Sequence, residues 1–184
     1  MSVSAAAQSP VRLVLLSRVM VWLASIGIIL VIVLTILALA LSDWTRNLLL
    51  ARLGQAGSAL SLTPGSRLLA GAIVAVPVGV MVLGLWHVRA LFREFAAGRV
   101  LTESAARHLQ IFGATVLAQA PLGPLTSIAL TVGLTIANPP GQRMLAVSFS
   151  IHDYFALIVG GVLFAAASVM REAARLADEN ASFV

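Results

Sequence analysis

Hydrophobic positions in this chain fall into four long blocks separated by short polar stretches. Val19 to Leu41 gives about 23 residues without a charge, enough at 1.5 Å per residue to cross a hydrocarbon core of about 30 Å with some tilt. Leu68–Val88, Ile111–Ala137 and Tyr154–Met170 repeat the pattern. Inside these blocks the apolar residues cover the whole helical circumference rather than one stripe, which fits lipid-facing helices. The expectation is an all-α membrane protein, a four-transmembrane-helix bundle forming a single domain over residues 1–184. Its spans lie at about 19–41, 68–88, 111–137 and 154–170, with a connection at 89–110 and a tail at 171–184. Met1 to Pro10 is small, polar and irregular in pattern. Ala38-Leu39-Ala40 has the small-x-small look of a cleavage site, but signal-peptide cores run about 7–15 residues, so a retained anchor is expected.

The polar stretches carry their own patterns. Trp86–Gly113 looks like two short amphipathic helices joined at a glycine. Leu91, Phe92 and Phe95 share an arc opposite Arg89, Arg93 and Glu94, and Gly98 stands where a left-handed cap ends a helix. Thr102 is then an N-cap with Glu103 in the favourable first turn. Ala105, Ala106, Leu109 and Phe112 form the next apolar arc, and Glu103 and Arg107 are spaced for an i,i+4 ion pair. In the tail, Ala173, Ala174, Leu176 and Ala177 lie opposite Arg171, Glu172, Arg175 and Glu179. These helix ends are expected to pack together as short extensions beyond the membrane, with the alternative that Phe92 and Phe95 dip into the lipid interface.

The remaining stretches are less regular. Ser42–Arg67 reads as a loop ended by Thr63-Pro64-Gly65. Leu145–Ile151 alternates large and small residues with period two, so it predicts an extended segment, and the pattern allows a small outer β-hairpin with Ala59–Thr63. Asp153 is placed to cap the helix that follows. Pro77 should kink the second span, Gly71, Gly79, Gly84 and Gly160-Gly161 offer close helix approach, and Pro121 and Pro124 should bend the third span.

Composition narrows the class. The 184 residues are 60% hydrophobic and 10% charged, where soluble domains carry roughly 25% charged residues. There is no cysteine, hence no disulfide or thiolate site. The twelve cations are all arginines and the net charge is +5. They flank the apolar runs, where they set orientation and meet anionic lipid, so direct nucleic-acid binding is not expected. Arg12, Arg18, Arg89, Arg93, Arg99, Arg107, Arg171 and Arg175 fall on one side, against Arg46, Arg52, Arg67 and Arg143 on the other. The positive-inside rule then places both termini in the cytoplasm.

Candidate chemistry is sparse. His87 and His108 fall on the inner side and His152 on the outer, none with i,i+4 spacing, so each reads as a solvated single histidine; no metal or cofactor is expected. No phosphate loop or nucleophile elbow occurs, and no ionisable residue lies deep in a span, which argues against a pump.

LFREFAAGRVLTESAARHLQIFG and the closing REAARLADENASFV resemble the bacterial membrane proteins catalogued as domain of unknown function 2975. The resemblance extends from Trp86 to Val184, with Leu101 where the family usually has Phe. It implies a four-helix protein of the bacterial inner membrane with no assigned activity, often encoded beside a small helix-turn-helix DNA-binding protein. The functional expectation is therefore a non-enzymatic membrane protein that docks a cytosolic regulatory partner. The candidate docking residues are Arg89, Arg93, Glu94, Arg99, Glu103, Arg107, Arg171 and Arg175. The alternative is a small-molecule or lipid channel or transporter subunit, lined near the proline break by Gln119, Thr126 and Thr131. Membrane lipids and further copies of the chain complete the expected partners.

Overall fold

The computed structural model describes residues 4–41, 47, 64–136, 138, 143 and 145–182. Among the described residues the ordered elements are all helical: α1 (Ser4–Ala40), α2 (Pro64–Ala96), α3 (Glu103–Thr135) and α4 (Ile151–Ser182). Each is long and apolar enough to cross a membrane, and the chain is a multi-pass membrane protein.

The helices are longer than the apolar runs that announce them. A helix of 33 residues, the length of both α2 and α3, spans about 50 Å, against a hydrocarbon core of about 30 Å. Once nucleated, the backbone ladder propagates into polar sequence at little cost. So α1 already begins at Ser4 and runs through Pro10, where an irregular segment was expected. Likewise α4 begins at Ile151 rather than Tyr154 and carries the tail to Ser182. Pro77 lies inside α2, and Pro121 and Pro124 inside α3, without ending either helix.

The expected β-hairpin is not supported. Its first strand, Ala59–Thr63, lies outside the described residues, as does most of the loop before it. Residues 145–150 have no ladder partner among the described residues. Instead the Ala146 N–H donates to the Thr131 hydroxyl at 3.3 Å, so an α3 side chain does what a second strand would have done. Asp153 also acts differently from expectation. Ser150 is the N-cap of α4: its hydroxyl accepts from the His152 N–H at 3.2 Å. The Asp153 carboxylate, at N3, accepts the Ser150 N–H at 2.8 Å, the half of a capping box in which the N3 side chain reaches back to the N-cap.

The chain forms two compact units, and each helix contributes to both. One unit takes residues 1–29, 82–117 and 158–184. Here α3 and α4 meet backbone to backbone. A Cβ on Gly113 would lie 2.8 Å from the Phe164 nitrogen, and one on Gly160 would lie 2.5 Å from the Leu117 nitrogen and 2.8 Å from its Cα. The expected approach at Gly160-Gly161 is thus made by Gly160, while Gly161 faces open space. Leu91, Ala105, Ala106 and Ala174 are buried, whereas Leu176, on the expected apolar arc of the tail, is 48% exposed.

The other unit takes residues 30–81 and 118–157. Ala70, Leu130 and Leu134 form its core, with Ile73 and Val74 packed against them. Ser127, Thr131 and Thr135 make a buried column along α3. Each hydroxyl donates to the carbonyl four residues earlier, at 3.2, 2.9 and 2.6 Å in that order, so no bare donor is left in an apolar surround. Gln119 donates to the Pro77 carbonyl at 2.9 Å and ties α3 to α2. Arg67, in the first turn of α2, donates to the carbonyls of Leu39 and Ala40. It supplies the positive charge that the C-terminus of α1 lacks in its own last turn.

Candidate functional site

A cluster of polar and charged side chains lies where α2 and α3 join. The turn between them is built by local rules. Gly98 has a φ of +78°. The Arg99 N–H reaches back to the Glu94 carbonyl and the Gly98 N–H to the Phe95 carbonyl, both at 3.0 Å, which is the Schellman arrangement. The position pair that usually supplies an apolar contact here holds an ion pair instead: Arg99 Nε lies 2.7 Å from Glu94 Oε2. The Arg99 guanidinium holds the Glu94 carboxyl below its ordinary range, chiefly through that hydrogen bond. At the start of α3 the Thr102 hydroxyl accepts the Ala105 N–H at 3.2 Å, as its N-cap role requires.

Beyond this turn a cleft of about 460 Å³ opens between the helices, lined by His87, Glu103, Ser104, Arg107, His108 and Ile111. On α3 the lining residues follow one helical face, i, i+1, i+4, i+5 and i+8. The other face carries the buried Ala105 and Ala106. The two imidazoles are in direct contact, Nδ1 to Nδ1 at 2.9 Å, with ring centroids 5.1 Å apart. The centroid distance is close to the nitrogen separation plus two ring radii, so the nitrogens point at each other and one proton bridges them. The ring that accepts at Nδ1 must carry its own proton on Nε2 when neutral.

This corrects the expectation of solvated single histidines. The signal was available: His87 lies ten residues before Ala97 and His108 ten after Gly98. In an antiparallel helical hairpin such positions come to the same level. His152 is apart from them; it hydrogen-bonds Ser150 at the start of α4. Among the described residues no group of three or more metal-ligating side chains converges.

The candidate docking residues divide into several environments. Glu94 and Arg99 satisfy each other. Arg175 pairs with Glu172 at 2.5 Å and Glu179 at 3.6 Å. Arg171 donates to the Gln110 side chain. The Arg89 guanidinium sits 5.6 Å from the Trp86 ring centre, and its Nε is buried without a partner among the described residues. Arg93 is exposed. Glu103 and Arg107 do not form the expected i,i+4 pair; both line the cleft instead. Phe92 and Phe95 are half-buried and stack edge to face, with centroids 5.7 Å apart.

Comparison with known proteins gives a family. Residues 54–184 match the family described as Protein of unknown function (DUF2975), well over half of the chain, and the chain belongs to it. No curated protein and no solved structure matches.

Proposed function

We propose that this member of the DUF2975 family is a non-enzymatic docking protein of the bacterial inner membrane, with both termini cytoplasmic. Its charged helix ends, in this reading, receive an acidic face of a cytosolic regulatory protein. The family resemblance points to a small helix-turn-helix regulator as the class of partner. One observation carries the reading most. Leu91, Ala105, Ala106 and Ala174 of the helix ends are buried, while Arg93, Arg171 and Arg175 are exposed on the same helices. A preorganised cationic surface gives specificity and fast association without a folding cost at binding. For the channel alternative, Gln119, Thr126 and Thr131 all donate to backbone carbonyls, and no observation of a polar lining favours it.

The test is cross-linked co-purification from cells with wild type and with a double variant, Arg93→Glu and Arg175→Glu. Loss of two favourable charges should reduce capture of a specific cytosolic protein about tenfold, corresponding to roughly 1.4 kcal/mol. Recovery of the same cytosolic proteins at wild-type yield would sink the docking reading.

A further inference from the structure

The cleft between α2 and α3 has features that a docking surface does not require. Its lining lies where the apolar runs of both helices give way to charged sequence. Trp86, near the end of the apolar run of α2, is exposed and carries the Arg89 guanidinium over its ring, an arrangement suited to the headgroup layer. Ile111, which opens the apolar run of α3, forms part of the cleft wall. The lining therefore passes from apolar to ionic within two helical turns. It also holds both signs of charge. Glu103 and Arg107 are one turn apart on the same helix, share the cleft, and make no salt bridge with each other or with another described residue.

We propose that this cleft binds a zwitterionic headgroup carrying a phosphodiester and a primary ammonium, supplied by a membrane phospholipid of the ethanolamine type. Arg107 offers charge-assisted donors to the phosphate oxygens. Whichever histidine of the bridged pair accepts at Nδ1 has an Nε2–H left to donate, and the Ser104 hydroxyl adds a further donor. Glu103 receives the ammonium, whose three N–H bonds a choline headgroup lacks. The volume of about 460 Å³ admits a headgroup of this size and leaves the acyl chains outside, along the exposed apolar helix faces. Glu103 and Arg107 are also candidate docking residues, but the variants that test partner docking, at Arg93 and Arg175, lie outside this cleft, so the two readings can fail separately.

The experiment is native mass spectrometry of the full chain in a mild maltoside detergent. It is titrated with ethanolamine, choline and glycerol phospholipids of identical acyl composition. The ethanolamine lipid should be retained about tenfold better than the choline lipid. Glu103→Gln should bring that ratio to about one while leaving the glycerol lipid bound as before, and Arg107→Gln should weaken all three about tenfold. Circular dichroism melts of both variants establish that the fold is kept. A wild-type ratio near one, or an unchanged ratio in Glu103→Gln, overturns the proposal. Displacement of the lipid by water-soluble glycerophosphoethanolamine at equal concentration overturns the membrane as the source of the headgroup.

Discussion

Single atoms decide the packing of α3 on α4. A methyl group at Gly160 would meet the backbone of Leu117, which cannot rotate aside as a side chain can. Gly160→Val should therefore destabilise the protein by about 1–3 kcal/mol, whereas Gly161→Ala, which enters open space, should be close to neutral. Unfolding followed by tryptophan fluorescence in detergent separates the two. Adjacent glycines in a sequence announce a close approach but not which of them makes it; that depends on helix rotation, set by the whole interface. Ser17 shows a similar limit. It is fully buried on α1 and its hydroxyl has no partner among the described residues, although nothing in its sequence surroundings distinguishes it from Ser25, which bonds the Val21 carbonyl at 2.8 Å. Removing a buried hydroxyl that makes no bond relieves a desolvation cost, so Ser17→Ala should leave stability unchanged or raise it by about 1 kcal/mol in the same assay.

At the scale of elements, caps were the most legible feature and helix lengths the least. Gly98 and Thr102 could be placed from residue type, because few residues adopt a positive φ and few side chains can accept an N-terminal amide. Helix ends within polar sequence could not, since apolar runs mark where lipid ends rather than where the backbone ladder ends. The cap at Gly98 also predicts a pH response. The Glu94 carboxyl is held below its ordinary range by Arg99, so its contribution is present above the unfolded-state value, about 4.3, and is lost as pH falls through the lower folded value. Exposure keeps the effect small, at roughly 0–1 kcal/mol. Amide exchange at Ala97–Arg99, corrected for intrinsic rates, should accelerate on acidification below about pH 4, and Glu94→Gln should abolish that dependence. An unchanged acid response in the variant would mean that another group controls the turn. At the other end, Ser150→Ala removes the N-cap hydroxyl and should cost about 0.5–2 kcal/mol, seen as faster exchange in the first turn of α4.

The whole molecule is governed by which side of the membrane receives the arginines. Four spans follow from hydrophobicity alone, and the four helices bear them out. Side assignment follows from a different physics, the bias of cationic segments against translocation, and the docking of a cytosolic partner depends on it. Eight arginines against four favour cytoplasmic termini, but Arg67 is not an ordinary loop charge. It is committed to the carbonyls that end α1, so part of its charge is spent on a helix terminus and it weighs less in the count than its position suggests. On the other side Arg99 and Arg175 are likewise paired, with Glu94 and with Glu172 and Glu179, so the expected orientation rests on the plain count. Because the chain has no cysteine, single cysteines can report it directly. Arg99→Cys, in the turn between α2 and α3, should react with a membrane-impermeant maleimide only after spheroplasts are lysed. Arg143→Cys, before α4, should react in intact spheroplasts. The reverse labelling pattern would put the charged helix ends outside the cell, where no cytosolic regulator could reach them, and the docking reading would fall. The lipid cleft would survive that result, since ethanolamine headgroups can face either side of a bilayer, and this is what makes the two proposals separable by a single labelling experiment.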